Sequence, residues 1–128
     1  MSIQKASQQL PLDQATLQLK NALVLQDAGA FADLQLQQTA EQIRTWFSNP
    51  INHPRLQNVT GLNLEGRGLS VIPSELRFLP NLRWLFLDQN QLTALDPQTF
   101  ANLPNLRWLY LRNNPMTAAG PIEGHPWD

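Results

Sequence analysis

The chain has 128 residues, about one domain, and its 42% hydrophobic and 15% charged content permits a packed core and argues against general disorder. A net charge of −1 argues against broad electrostatic capture of nucleic acid or of an anionic membrane. The absence of cysteine excludes disulfides, thiol catalysis and cysteine–zinc sites, and it fits a reducing compartment.

The opening stretch, MSIQKASQQLPLD, has no apolar run, so no Sec signal peptide is expected. No stretch reaches the ~18 apolar residues that a membrane span needs, so no membrane partner is expected and a cytoplasmic location is. Asp13, just after Pro11, predicts the N-cap of a first helix that stops near Gly29. Leu17, Leu19, Leu23 and Leu25 also alternate as a strand would, but the Gln, Leu and Ala content selects helix. Leu36, Ala40, Ile43 and Phe47 share one helical face and predict a second helix over 39–47, starting as early as 30–33. Asn49-Pro50 ends it. Asn58-Val59-Thr60 matches a glycosylation sequon but carries no weight without a secretory signal.

LPNLRWLFLDQN, from Leu79, returns as LPNLRWLYLRNN from Leu103. The template LxxLxLxxNxL is filled by Leu82, Leu85, Leu87, Asn90 and Leu92, and again by Leu106, Leu109, Leu111, Asn114 and Met116. Val59, Leu62, Leu64, Arg67 and Leu69 fill it once more, with arginine at the asparagine position. The starts at 59, 82 and 106 lie 23 and 24 residues apart. In these residues the sequence resembles the leucine-rich repeat family. The resemblance implies an α/β solenoid with short parallel strands on its concave face. The expected division is a helical N-terminal cap at 1–52, repeats at 59–81, 82–105 and 106–118 within a 53–118 segment, and a tail at 119–128. Trp46 and Phe47 would cover Val59, Leu62 and Leu64, which otherwise end the stack without a neighbour. Asn90 and Asn114 would bond the backbone of adjacent turns. Arg67 cannot copy them while buried, so it should turn to solvent or to the N-terminal segment.

Strand alternation sends Leu85 and Leu87 inward and turns Trp84, Phe86 and Asp88 outward. The outward columns are Gly61–Trp84–Trp108, Asn63–Phe86–Tyr110 and Glu65–Asp88–Arg112. Four aromatic rings on two strands make an apolar patch that soluble monomers seldom leave bare without purpose. Asp88 and Arg112 can pair at one edge; Arg83 and Arg107 line the other, where their stems can cover the tryptophans.

These residues point to a non-catalytic module that binds a protein or peptide. Trp84, Phe86, Trp108 and Tyr110 would give contact area; Asp88, Arg112, Glu65 and Arg107 would give orientation and selectivity. Two alternatives use the same face: burial in a homodimer, or by the tail with Trp127, and stacking of sugar rings. No enzyme, metal or cofactor is expected. Glu65 and Asp88 lie on an open face that excludes no water, and His53 and His125 are lone loop histidines beside prolines. A helical segment before leucine-rich repeats is also similar to some bacterial effectors, which implies delivery into a host cytosol. The effector ligases of that kind carry a catalytic cysteine in a C-terminal domain; this chain has neither.

Overall fold

A 24-residue helix, α1 (Ile3–Gln26), opens the fold in a computed structural model that describes residues 3–95 and 97–115. Pro11 lies inside α1, and the expected start at Asp13 is ten residues late. Ala15, Leu19, Ala22 and Leu23 recur on one face and are buried. Asp13 is no cap: its carboxylate accepts from Gln9 (2.8 Å) and pairs with Arg44 (2.6 Å).

The second predicted helix is two. α2 (Ala32–Gln35) is a single turn, and α3 (Ala40–Ser48) starts afresh at Thr39. Thr39 and Gln42 form a reciprocal capping box, the Thr hydroxyl accepting from the Gln42 amide at 3.1 Å. Leu36 therefore belongs to no stripe and is 75% exposed, whereas Ile43 and Phe47 are fully buried. Asn49-Pro50 does end α3, and a 3-10 turn (Pro50–Asn52) leads into α4 (His53–Gln57). His53 is thus helical, not a loop residue. Its Nε2 lies 3.0 Å from the Phe47 carbonyl, and its ring stacks on Phe78.

Three strands follow, β1 (Gly61–Asn63), β2 (Trp84–Phe86) and β3 (Trp108–Tyr110), in one parallel sheet of order β1-β2-β3. A 3-10 turn (Ser74–Phe78) returns the chain from β1 to β2, and α5 (Pro97–Ala101) returns it from β2 to β3. Leu62, Leu64, Leu85, Leu87 and Leu109 are fully buried beneath the sheet. They join the helical residues in one continuous core.

Asn90 holds the bend after β2. Its Oδ1 accepts from the amides of Arg67 and Leu69, each at 3.0 Å, and its Nδ2 donates to the carbonyls of Leu64 and Leu87. Asn114 repeats this one turn on, accepting from Leu92 and donating to Leu87 and Leu111. Arg67 reaches Gln18 of α1 at 3.2 Å, the N-terminal direction expected for it. The residue before each asparagine position bends left-handed at the same place, Gly66 (φ 66), Gln89 (φ 58) and Asn113 (φ 62). Met116 and the tail, with Ile122, His125 and Trp127, lie outside the described residues.

The helices meet the sheet at β1. Gln26, the last residue of α1, donates from Nε2 to the Gly61 carbonyl (3.0 Å) and accepts at Oε1 from the Asn63 amide (3.1 Å). Its side-chain amide so pairs the strand edge as another strand's backbone would. Further along, buried Glu75 accepts from Thr16 of α1 (2.6 Å) and from Ser74, and faces Arg44 of α3 at 3.5 Å. Phe47 of α3 stacks on Phe78.

Candidate functional site: the outward face of the sheet

The register is the expected one. Gly61 pairs with Trp84 and Trp84 with Trp108; Asn63 pairs with Phe86 and Phe86 with Tyr110. Trp84, Phe86 and Tyr110 are half-buried and Trp108 is 46% exposed. Their burial comes from contact with one another. Trp84 meets Phe86 at 5.0 Å between ring centroids, and Phe86 meets Tyr110 at 4.5 Å, both tilted. Trp108 has no ring partner among the described residues. The face is therefore a three-ring cluster with one separate indole beside it.

Gly61 explains the separation. A Cβ placed there would lie 1.7 Å from Trp84 Cε2. The Trp84 indole leans over β1 into the space left by the absent side chain. It there forms one wall of a cleft of about 360 Å³, lined also by Asp27, Phe31, Arg55, Asn58 and Thr60. Periodicity does not reveal this cleft, because its other wall is the turn between α1 and α2. Phe31 and Arg55 are fixed from behind. Arg55 binds Asp33 through both nitrogens (2.8 and 2.9 Å), and Trp46 Nε1 donates to the same carboxylate at 3.0 Å. The Arg55 hydrogen bond, helped by Trp46, holds the Asp33 carboxyl well below the usual carboxylate range, and Arg55 is raised in turn.

Charge sits at the two ends of the strands. At the downstream end, Asp88 meets Arg112 through the main chain, its Oδ1 accepting from the Arg112 amide at 2.9 Å. Glu65 is exposed beside them, its amide donating to Asn63 Oδ1. At the upstream end Arg83 and Arg107 are exposed and adjacent, the Arg107 amide donating to the Arg83 carbonyl at 2.8 Å. Among the described residues neither guanidinium covers a tryptophan, whereas Arg55 lies over Trp46 and Arg77 over Phe78. Asn81 and Asn105 form a second ladder at the surface. Asn105 donates to the Pro80 carbonyl and to Asn81 Oδ1, and Asn81 donates to the Gln57 carbonyl. The repeated Pro-Asn of LPNLRWL is its sequence signal.

Parallel strands at 23- and 24-residue spacing, leucines below and an inner asparagine ladder agree with a family match over residues 57–116 to leucine rich repeat. Residues 57–116, a little under half of the chain, are a leucine-rich repeat segment. A search of curated proteins found no match. Leucine-rich repeat segments generally mediate protein–protein interaction and are typically non-catalytic. Among the described residues, no group of three His, Cys, Asp or Glu could hold a metal ion, and no helix is long and apolar enough to cross a membrane. Of the eight residues singled out from sequence, Trp84, Phe86, Trp108 and Tyr110 lie in the sheet, Trp108 apart from the ring cluster, while Glu65, Asp88, Arg107 and Arg112 lie just beyond the strand ends.

Proposed function

We propose that this protein is a non-catalytic protein–protein interaction module that binds a protein or peptide on the concave, outward face of its sheet. One observation carries the reading. Trp108, 46% exposed, lies beside the Trp84–Phe86–Tyr110 cluster, with Arg83 and Arg107 at the upstream strand ends and Glu65, Asp88 and Arg112 at the downstream ends. Exposed aromatics rimmed by arginine are the usual composition of binding hot spots. The open face gives no water-excluding pocket for catalysis.

The helices before β1 act in this reading as the stack's N-terminal cap. Gln26 occupies the edge of β1, and Glu75 with Thr16 and Arg44 ties the first repeat to α1 and α3. A terminal repeat without such cover would expose leucine core and an open strand edge.

Affinity capture with the whole chain, against Trp84→Ala with Trp108→Ala, tests the face. Captured proteins should be lost with the double variant; an unchanged set would overturn the reading. Light scattering separates self-association. A dimer that persists on dilution and dissociates on Trp108→Ala would assign the face to a homodimer instead. Specific binding on a glycan array, lost with the same variant, would assign it to sugar.

A further inference from the structure

Most arginines of this chain are engaged. Arg44 pairs with Asp13 and Glu75, Arg55 with Asp33, Arg67 bonds Gln18, and Arg77 lies over Phe78. Arg83 and Arg107 differ. Both are exposed, and no described residue pairs with or accepts from either guanidinium. They directly precede neighbouring strands, where the two backbones run about 4.8 Å apart. Two like charges at that spacing repel, and a carboxylate set between them removes the repulsion while accepting paired guanidinium hydrogen bonds. Each arginine directly precedes a tryptophan of the face, Trp84 or Trp108.

The other end of the strands is mixed. Glu65 is exposed there and Asp88 is half-buried, beside exposed Arg112. Along the strands the charge thus runs from two arginines, across the rings, to a row of two carboxylates and one arginine. The two rows are five residues apart, roughly 16 Å of extended chain. A nucleic-acid backbone long enough to cross the face would carry its phosphates onto Glu65 and Asp88. A short segment with acid at one end only would not.

We infer that the partner of this face is an extended acidic peptide segment. Asp or Glu carboxylates bridge Arg83 and Arg107, and an apolar side chain within about five residues rests on Trp84 and Trp108. This rests on the reading of the face as a protein- or peptide-binding surface, and it names the chemistry of the ligand. The arginines steer and orient; the tryptophans hold.

The test pans a phage-displayed random peptide library against the whole immobilised chain. The best clones are then synthesised and titrated by fluorescence anisotropy. Selected peptides should share acidic residues within about five positions of an aromatic or aliphatic one. Arg83→Gln with Arg107→Gln should weaken binding about tenfold and flatten its dependence on salt. Trp84→Ala with Trp108→Ala should abolish it. Because both arginines are exposed, their double variant should melt as the parent does. If selected peptides lack acid, or bind the arginine variant like the parent while the tryptophan variant still loses them, the acidic assignment fails and the binding face stands. Peptides that bind both variants like the parent, or no enrichment at all, would overturn the face reading as well. A single-stranded oligonucleotide that displaces the peptide at equal concentration would overturn the choice of a peptide ligand.

Discussion

Gly61 is the residue on which the geometry of the face turns. In the repeat template its position accepts any residue, so periodicity alone assigns it no role. Only the register, Gly61 opposite Trp84, shows that a large ring faces a missing side chain. Gly61→Ala would put a Cβ 1.7 Å from the indole, and Trp84 is anchored to Phe86, so the ring must be displaced. Overpacking of this kind costs about 1–3 kcal/mol, read from urea unfolding. In a Trp84→Ala background most of that cost should vanish. Equal costs in the two backgrounds would mean the ring does not occupy the site. Asn90 is the opposite case, legible from the template because its position is defined by what it bonds. It is 1% exposed and serves five backbone groups of two turns, whereas Asn114 is half-buried. Asn90→Ala should therefore destabilise by about 3 kcal/mol or more, and Asn114→Ala by less, since water can reach the groups it leaves.

At the scale of elements, local signals served where a pattern closes on itself. The inward leucines set each strand, and Asn49-Pro50 stopped α3. The Thr39–Gln42 capping box was also written in the sequence, and it outranks the apolar spacing that drew Leu36 into the helix. Pro11 misled because it lies inside α1 and does not precede it. The Gln26 contact to β1 had no local signature at all, since its partners lie 35 and 37 residues away. Gln26→Ala should cost about 1–2 kcal/mol and speed hydrogen exchange at the Asn63 amide. Unchanged exchange there would argue against edge pairing. Asp33 ties α2 to α3 through Trp46 and to α4 through Arg55. Its folded pKa is depressed, chiefly by the Arg55 hydrogen bond. The stability it contributes is therefore fully present above the ordinary carboxylate range, near 3.9, and is lost as pH falls below it. Asp33 and Arg55 are 49% and 35% exposed, so solvent screening keeps the contribution modest. Thermal melts from pH 7 to pH 2 should show a shallower acid limb for Asp33→Asn than for the parent.

At the scale of the whole molecule, the sequence reads as two halves, one glutamine-rich and one leucine-periodic. The structure joins them through one core that runs from Ala15 and Leu23 through Phe47 and Leu56 to Leu62 and Leu109. Such continuity makes the halves thermodynamically one unit, because a repeat gains stability mainly from its neighbour and the first repeat's neighbour is the helices. The tryptophans allow a direct check. Trp46 is buried among the helices, and Trp84 and Trp108 report the sheet. One variant keeps only Trp46, with Trp84, Trp108 and Trp127 changed to Phe; another keeps only Trp84 and Trp108. Each should unfold in urea in a single step, at the same fraction of its own far-ultraviolet circular dichroism change. If the Trp46 signal is lost while the sheet signal persists, the helices are a separate body and their service as a cap is lost with it. If the sheet signal is lost first, the repeats unfold apart from the helices and the shared core does not bind the two into one unit. Coincidence of the two signals is the outcome that a shared core requires.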